Sequence, residues 1–400
     1  MSQSKVKIAA IGLGNRTRKY LRYVAEHRDI AELVAVVDPD VSRTEGLQED
    51  FSLTDDRIFR SMDDLVASGL DIDACIIGTP DLFHYELSIK AMRSGWHILL
   101  EKPMGQNPEQ CRDIVQTSIE TGKMVTVCYV LRYHPYFMKL KDLVGDPSVG
   151  KMHSIRHTER VGRDRTAHTF VRGPWNIKEM NTSVFFTKCC HDVDFVLWLA
   201  GNDVKSVTSK IGERIFSEEN APVGASQRCL NCGLEATCPY SAIDLYLRRR
   251  DWIKGFTALS GESQEDMIGR ILRESRYGRC VYHCPENDVV DRQTVILEME
   301  SGIKAEIIME CPTDQTNRVT EIDCENAVIY GDERMIEVRY KDGRESETYD
   351  FGWTESLGYH ARADFRVVED FIEAIRSGHL RTKTSCVESL DSHLICFLAQ

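Results

Sequence analysis

The stretch that decides the fold is VKIAAIGLGNRT, residues 6–17, in which a short apolar run leads into two closely spaced glycines. Gly12 suits the tight turn after a β-strand, and Gly14 would let the phosphates of a ligand approach the backbone where a helix begins. Asn15 and Arg16 open that helix. The stretch therefore predicts a strand, a turn and a helix N-terminus that together bind the pyrophosphate of a dinucleotide.

The residues that follow this stretch alternate between apolar strand patterns and helix-length segments. Continuous apolar strands separated by helices are typical of a parallel sheet that is covered on both faces. The sequence therefore predicts an α/β Rossmann domain, a doubly wound parallel sheet, over residues 1–128. Its predicted strands are Val6–Ile11, Leu33–Val37, Ile72–Ile77, His97–Leu100 and Met124–Cys128, and its predicted helices are Arg16–Glu26, Leu82–Ser94 and Pro108–Glu120.

The pattern changes in the second half of the chain. Alternating runs separated by glycine turns, such as ESG at 300–302, are typical of antiparallel hairpins. We predict an α+β domain with an open, mostly antiparallel sheet over residues 129–385, and a C-terminal helix over 386–400. Residues 212–288 fit neither pattern and are interpreted as a cysteine-rich insertion. The clearest predicted elements are strands at Ser154–Val161, Val289–Glu298, Lys304–Met309, Val319–Asp323 and Met335–Tyr340, and helices at Ser183–Leu199, Phe365–Ile375 and Cys386–Leu398.

Composition disfavours several classes of protein. Lys and Arg number 50 and Asp and Glu 63, and the resulting formal charge of −13 disfavours nucleic-acid binding. The sequence contains no apolar run of the roughly 18 residues that a membrane span requires, so it predicts no membrane contact. The first residues lack the pattern of a secretory signal, and 14 cysteines without one favour a reducing, cytoplasmic location.

The residue that ends the second predicted strand bears on the choice of cofactor. Asp38 stands where an acidic side chain accepts hydrogen bonds from the adenosine ribose of NAD. Its charge would repel the 2′-phosphate of NADP, so the sequence predicts NAD. Arg16 or Arg43 would compensate for that charge, and NADP therefore stays an alternative.

Four further motifs follow the glycine turn in the chain. TPDLFH at 79–84 follows the third predicted strand, EKP at 101–103 ends the fourth, RYHP at 132–135 follows the nucleotide-binding region, and HDVD at 191–194 lies on a predicted helix. Together these motifs resemble the glucose–fructose oxidoreductase, inositol dehydrogenase and rhizopine-catabolism (Gfo/Idh/MocA) family. The resemblance covers nearly the whole chain except the insertion.

The resemblance implies a nicotinamide cofactor between the two domains and a homo-oligomer formed through the open sheet of the second. It implies that Lys102 lies beside the reacting hydroxyl and that His191 acts as the acid or base. Besides the glycine turn, the residues implied to bind the cofactor are Thr79, Pro80, His84, Glu101 and Lys102.

The chemistry of alcohol oxidation agrees with the assignment of Lys102 and His191. Hydride transfer from an alcohol requires a group that accepts the hydroxyl proton, and histidine titrates near neutrality. A lysine near the same oxygen would stabilise the developing negative charge.

The sequence departs from the family just before His191. Many relatives carry an aspartate four residues earlier, where this chain has Thr187, followed by Lys188. We predict that Lys188 faces the same cleft as His191 and lowers the pKa of that histidine; a solvated helix lysine is the alternative. For Asp194, an acid of the active site and a structural hydrogen bond stay equally open.

The segment Arg160–Asn176, just before the helix of His191, is rich in arginine and contains a tryptophan. Tryptophan offers a face to a sugar ring, and arginine suits anionic groups. We expect the segment to cover an acidic sugar or glycoside; a solvated basic loop is the alternative. The residues predicted to bind substrate are Arg132, His168, Arg172, Trp175, Lys188 and His191.

Five cysteines of the insertion are spaced as in a structural zinc site. Cys229 and Cys232 form a CxxC pair, Cys238 follows, and Cys280 or Cys284 would supply the fourth ligand. Zinc would order an insertion that has little apolar content. Unliganded thiols, an iron–sulfur cluster and disulfides are the alternatives.

These observations predict an NAD(P)-dependent oxidoreductase that acts on a hydroxyl of a small carbohydrate, namely a sugar, a cyclitol or a sugar acid. One alternative is a redox-neutral glycosidase, which oxidises its substrate transiently, expels an aglycone and reduces the sugar again. Another is a sensor that binds a sugar or a dinucleotide without catalysis, which the presence of Lys102 and His191 disfavours.

Overall fold

The structure is a computed structural model that describes residues 4–177, 183–212, 214–288, 291–357 and 359–400. Its first sheet consists of β1 (Val6–Ile11), β2 (Ala31–Val37), β3 (Ile58–Phe59), β4 (Ala74–Ile77), β5 (His97–Leu100) and β6 (Val125–Val127). These strands are parallel and lie in the order β3-β2-β1-β4-β5-β6. This order confirms the predicted doubly wound Rossmann sheet, with its switch point between β1 and β4.

Apolar cores lie on both faces of the first sheet, because successive side chains of a strand point in opposite directions. Ala9 and Ile11 of β1 enter one core, and Ile8 and Ala10 enter the other. The helices of this region are α1 (Asn15–Glu26), α2 (Leu47–Phe51), α3 (Met62–Ala67), α4 (His84–Arg93) and α5 (Pro108–Thr121).

The ends of α5 show how local sequence fixes a helix in this domain. The side chain of Asn107 accepts a hydrogen bond from the N–H of Gln110, and Pro108 occupies the first turn, where its missing N–H costs nothing. Gly122 ends the helix at φ 65°, a left-handed conformation that glycine adopts readily. The start of α5 therefore agrees with the predicted helix, and its end differs by one residue.

The second sheet consists of β7 (Met152–Gly162), β8 (Val204–Ile211), β9 (Arg292–Met299), β10 (Lys304–Thr313), β11 (Asn317–Cys324), β12 (Ala327–Gly331), β13 (Met335–Tyr340) and β14 (Glu347–Asp350). Their order is β14-β13-β12-β11-β7-β10-β9-β8. Neighbouring strands are antiparallel except β7 and β10, which are parallel. The mostly antiparallel second sheet is thus confirmed; residues 289 and 290 of the predicted strand Val289–Glu298 lie outside the described residues.

The remaining helices are α6 (Pro135–Val144), α7 (Arg163–Arg165), α8 (Val184–Ala200), α9 (Gln264–Glu274), α10 (Ala363–Ser377) and α11 (Cys386–Leu398). Helix α8 packs on β7 and β10, and its N-cap is Ser183, whose side chain accepts a hydrogen bond from the N–H of Phe186. Because α8 covers one face of the second sheet, its side chains meet those of β7.

The last part of the chain returns to the first domain. Val367, Val368 and Phe371 of α10 belong to the same apolar core as Ile8, and α11 packs against both α5 and α8. The N–H of Val127, on the edge strand β6, donates to the carbonyl of Thr384 at 2.8 Å. Helix α10 therefore packs into a core of the first domain, while the predicted domain boundaries at residues 128 and 385 stay a prediction.

The insertion connects β8 to β9, which are neighbours in the sheet. It has an apolar core of its own, which includes Leu245, Tyr246, Ile268 and Leu272. Partly buried aromatic side chains such as Phe256 pack against this core. The insertion is thus a small packed unit, although its sequence shows little regular periodicity.

The outer face of the second sheet carries exposed side chains of mixed character. Arg156 and Glu306 form an ion pair at 2.5 Å across neighbouring strands, while Ile296, Tyr330 and Met335 are exposed apolar residues. The predicted association of copies through this sheet stays a prediction. No helix in the described part of the chain is long and apolar enough to cross a bilayer.

Candidate functional site

The turn after β1 has the geometry of a phosphate cradle. Gly12 has φ 79°, and a Cβ atom there would lie 2.7 Å from Cγ2 of Thr79, so only glycine fits. Gly14 is the N-cap of α1; it has no side chain, and an added Cβ would meet its nearest neighbour, the Gly78 carbonyl oxygen, only at 3.8 Å. The N–H groups of the first turn, which begins at the exposed Asn15, are therefore open to an anion, and this fits a pyrophosphate.

Thr17 stands where a third glycine is usual, and a glycine at the end of the neighbouring strand makes room for its side chain. Its side chain is fully buried, and its hydroxyl donates to the carbonyl of Gly12 at 2.6 Å. A Cβ atom on Gly78, at the end of β4, would lie only 2.2 Å from that hydroxyl oxygen. The absence of a side chain at Gly78 thus provides the space for Thr17, where a glycine in α1 would otherwise be needed.

Asp38 braces the glycine turn from the end of β2. One carboxylate oxygen accepts from the N–H of Leu13 at 2.8 Å and the other from the N–H of Asp40 at 3.0 Å, and the residue is 3 % exposed. A guanidinium nitrogen of Arg43, a half-exposed residue, lies 3.8 Å from this carboxylate. Since carboxylate oxygens accept more than one hydrogen bond, Asp38 keeps acceptor capacity for a ribose.

Arg16, predicted to contact the cofactor, is engaged by acidic side chains. It forms ion pairs with Glu101 at 2.7 Å and with Asp364 at 2.6 Å, and it also donates to the hydroxyl of Tyr20. Burial raises the pKa of Glu101, but the charges of Arg16 and Lys102 outweigh this effect and leave that pKa below its usual value. Arg16 therefore connects α1 to the EKP turn and to α10. Of the two arginines predicted to compensate for the charge of Asp38, Arg43 is the one that lies close to that carboxylate.

Lys102 reaches from the end of β5 to α8. Its ammonium group donates to the carbonyl oxygen of Thr187 at 2.9 Å, one helical turn before His191. An ammonium group has three donors, so two remain after this contact. The structure thus brings the EKP turn and the His191 region of α8 together across the domain junction.

His191 contacts a residue that the motifs did not indicate, and that residue is in turn held by another segment. The ring of Tyr129 lies edge-on to the ring of His191, with centroids 5.4 Å apart. The hydroxyl of Tyr129 lies 3.1 Å from Nδ1 of the buried His393 on α11, and Nε2 of His393 accepts from the N–H of Met104 at 2.9 Å. Tyr129 and His393 therefore link His191 to the turn that carries Lys102.

The protonation of His393 follows from its partners. Since Nε2 accepts from a backbone N–H, Nδ1 carries the hydrogen and donates to the carbonyl of Ser389 at 2.7 Å. Burial lowers the pKa of His393 to about 4, so the ring is neutral near pH 7.

His84, Thr79 and Pro80 occupy the turn after β4, as the motif predicts. His84 is fully buried, with Nδ1 2.6 Å from the carbonyl oxygen of Pro103 and Nε2 3.0 Å from that of Thr79. Pro80 is exposed at the same turn. His84 therefore fastens the two turns that flank the predicted nicotinamide position, while cofactor contact stays a prediction for Thr79 and Pro80.

Arg132, predicted to bind substrate, instead pairs with Asp194. The two residues form two parallel hydrogen bonds of 2.8 Å each, and both are nearly fully buried. Arg132 also donates to the carbonyl of Lys383 at 3.1 Å. Of the two alternatives for Asp194, the geometry favours the structural one, because the arginine occupies both carboxylate oxygens.

Lys188, predicted to share a cleft with His191, points toward the sheet. Its ammonium group forms an ion pair of 2.6 Å with Glu159 on β7. Arg318 on β11 lies 3.0 Å from Glu159 and 2.6 Å from Asp192, and His157 lies 2.9 Å from Asp192. Burial would raise the pKa of Asp192, but Arg318 and His157 hold it well below its usual value. This buried ion pair favours a role of Lys188 in supporting α8, and substrate contact by Lys188 stays a prediction.

The arginine-rich segment before α8 packs into the insertion. Arg172 is 1 % exposed and donates at 2.7 Å to the carbonyls of Arg279 and Tyr240. His168 lies 2.9 Å from the hydroxyl of Tyr246, and burial lowers its pKa to about 4. Trp175 is partly buried against the main apolar core. Arg172 and His168 thus anchor the insertion, and this removes the basis for predicting an acidic substrate.

The predicted zinc site is not supported. Within the ranges that the structure describes, no group of three or more His, Cys, Asp or Glu side chains is arranged to hold a metal ion. Sγ of Cys229 lies 3.6 Å from a guanidinium nitrogen of Arg172, and the thiol of Cys284 donates to the carbonyl of Cys280 at 3.3 Å. Burial raises the pKa of Cys284 to about 11. Cys229 belongs to the insertion core, and Cys284 is buried in a neighbouring apolar cluster with Ala167 and Val171, whereas Cys232 and Cys238 are partly exposed.

Comparison with known proteins agrees with the geometry of the glycine turn. The family described as oxidoreductase family, NAD-binding Rossmann fold, matches residues 6–129. The inositol 2-dehydrogenase of Arthrobacter sp. (strain FB24) is 27 % identical over 224 residues, which cover 55 % of this chain and 60 % of that relative.

Solved structures with the same fold cover almost the whole chain. The UDP-N-acetylglucosamine 3-dehydrogenase from Acidithiobacillus ferrooxidans has a TM-score of 0.65 at 17 % identity and covers 99 % of this chain and 97 % of its own. An oxidoreductase from Agrobacterium radiobacter, in complex with NAD+, L-tartaric acid and magnesium, has a TM-score of 0.69 at 14 % identity and covers 99 % and 95 %. Over residues 6–129, the chain is thus similar to the NAD-binding Rossmann domain of the Gfo/Idh/MocA family of oxidoreductases.

Proposed function

We propose that this protein is an NAD(P)-dependent oxidoreductase that oxidises a ring hydroxyl of a sugar or cyclitol. The observation that carries the proposal is the hydrogen bond of 2.9 Å from Lys102 to Thr187, which joins the nucleotide-binding edge to the helix of His191. The inositol 2-dehydrogenase and UDP-N-acetylglucosamine 3-dehydrogenase among its relatives and structural neighbours support this substrate class by their names.

The two residues divide the work on the reacting hydroxyl. When bound, the nicotinamide ring would accept the hydride that leaves the carbinol carbon. His191 takes the hydroxyl proton, so that a C=O bond replaces the C–H and O–H bonds. Lys102, with two ammonium donors left, stabilises the negative charge that develops on the oxygen.

The nucleotide site favours NAD through Asp38, and NADP is the second candidate. Asp38 is braced by backbone N–H groups and would accept hydrogen bonds from the ribose hydroxyls. Arg43, 3.8 Å from that carboxylate and half exposed, is the residue placed to meet a 2′-phosphate.

The test is a panel of sugars, cyclitols and glycosides incubated with the protein and either cofactor. We expect NADH or NADPH to accumulate with at least one ring alcohol. Aglycone release without net reduced cofactor would indicate the glycosidase instead. If the protein binds a cofactor but turns over no compound of the panel, the result would overturn the proposed oxidoreductase and favour the non-catalytic sensor.

A further inference from the structure

A cavity of about 620 Å³ lies where the insertion meets the ends of β7 and β10. The sheet contributes Gly162 and Asp314 to its lining, and the insertion contributes Asp244, Arg249 and Trp252. The cavity is lined by neither Lys102 nor His191, so it is separate from the site described above.

The charged groups of this cavity neutralise one another. Arg249 forms two hydrogen bonds, of 2.7 and 2.9 Å, with Asp164 and one of 2.8 Å with Asp244. Arg163 lies 3.3 Å from Asp314. Among the residues that the structure describes, three arginines and three aspartates line the cavity, the third arginine being Arg165. The surface therefore offers hydrogen-bond donors and acceptors with no net charge, which suits hydroxyl groups rather than an anion.

Trp252 adds an aromatic side chain to this polar lining. The residue has φ 62°, a left-handed conformation that a bulky side chain rarely adopts, and it is 40 % exposed. The ring of His168 packs behind it, with centroids 5.0 Å apart. An aromatic face beside paired carboxylates and guanidinium groups matches a sugar ring, which has apolar C–H faces and a rim of hydroxyls.

The cavity lies along the same strand that supports α8. Glu159 of β7 pairs with Lys188, three residues before His191, and the strand then runs to Gly162 at the cavity. Three residues of extended strand span roughly 10 Å. Because neither Lys102 nor His191 lines the cavity, a ligand that occupies both places would need more than one ring.

We propose that this cavity binds a neutral sugar unit, the second ring of a glycoside or oligosaccharide whose first ring reaches Lys102 and His191. The proposal rests on the proposed function for the first ring. The insertion would thereby select longer, uncharged substrates, with Trp252 stacking on the second ring and Asp314 accepting from its hydroxyls.

The experiment is titration calorimetry of the full chain with cellobiose, maltose, lactose and sucrose, with glucose and glucuronate as references. We expect at least one disaccharide to bind more tightly than both references. Trp252→Ala should weaken that binding about tenfold, whereas Trp252→Tyr keeps an aromatic face and should lose much less. Trp353→Ala removes another exposed tryptophan, which does not line this cavity, and should change nothing.

A second variant does not depend on the packing of the tryptophan. The side chain of Asp314 is 86 % exposed, so Asp314→Ala should leave the fold intact and still weaken disaccharide binding severalfold. The proposal is overturned if no disaccharide binds more tightly than glucose, if glucuronate binds best, or if Trp252→Ala and Trp353→Ala behave alike. Trp252-dependent binding without reduced cofactor from any sugar would instead overturn the proposed function and leave the site standing.

Discussion

Thr187 and His191 face the nucleotide-binding domain from one side of α8, whereas Lys188 and Asp192 face the second sheet from the other. On the first side the neighbours are Lys102 and the ring of Tyr129; on the second they are buried ion-pair partners. Residues four apart on a helix share a face, and adjacent residues do not. The helix therefore turns Asp192 away from His191, while Lys188, three residues before His191, is directed to the sheet by its ion pair with Glu159.

The largest effect should come from substitutions on the side of α8 that faces the nucleotide-binding domain. Lys102→Ala is expected to lower turnover roughly 10²- to 10³-fold, as for a lost electrostatic stabiliser of the transition state. Lys188→Met, the matched lysine of the other side, should lower it far less, because Lys188 is paired with Glu159. Steady-state reduced-cofactor formation measures both, and equal losses would contradict the division of α8 into two sides.

The side that faces the sheet should respond in stability instead. Arg318→Met leaves Glu159 and Asp192 buried with less positive charge, and we expect a loss of about 3–5 kcal/mol in the free energy of unfolding. Arg339→Met removes an exposed arginine that pairs with Glu337 and serves as the control, with no measurable loss expected. Denaturant unfolding measures both variants; a stable Arg318→Met would show that the buried network does not support α8.

A smaller effect concerns the pH dependence of stability through His393. Its pKa is about 4 in the folded protein against 6.5 for the exposed group, so the unfolded chain binds more protons between these values. Stability should therefore fall as the pH falls from 6.5 to 4, by roughly 3 kcal/mol from this residue.

His393→Gln keeps a donor and an acceptor and should flatten that part of the pH profile. The same replacement at the exposed His379 is the control. Unfolding measured at several pH values checks the expectation, and an unchanged profile in His393→Gln would mean that the buried ring is not the source of the pH dependence.

The smallest expected effect is on cofactor choice. Asp38→Ala should weaken NAD binding about tenfold, the size of a lost charged hydrogen bond, and Arg43→Ala should weaken NADP alone. Calorimetry with both cofactors measures this. If the unmodified protein binds NADP more tightly than NAD, the predicted preference for NAD is wrong. The contact with the 2′-phosphate would then be assigned to Arg43.

The parts of the molecule that the sequence predicted well are those in which local pattern decides structure. The strand Val6–Ile11 and the helix Cys386–Leu398 have the predicted bounds, because apolar period and turn residues are local signals. The motifs indicated Lys102 and His191, and the structure brings the Lys102 turn to the helix of His191, while their catalytic roles stay predictions. The role of Gly78 was not predicted, because it depends on contact between α1 and β4.

The parts that were missed depend on contacts between distant segments. His393 meets Met104 across 289 residues of sequence, and neither stands in a motif. Arg172 was interpreted as a substrate ligand, but its partners are carbonyls of the insertion, which no periodicity marks. The sequence does not distinguish a charged residue that lines a cleft from one that anchors a buried segment. Only the packing of the folded chain distinguishes these two roles.

The central claim is that His191 takes the proton while a hydride leaves the substrate, and a single-turnover measurement tests it most directly. Excess protein with bound cofactor is mixed with a sugar that the panel identifies, and the absorbance of the reduced nicotinamide is followed for the unmodified protein and His191→Ala. We expect formation in the variant to be slower by roughly 10²- to 10⁴-fold, with cofactor affinity nearly unchanged. A rate within a few-fold of the unmodified protein would show that another group takes the proton and would contradict the assignment.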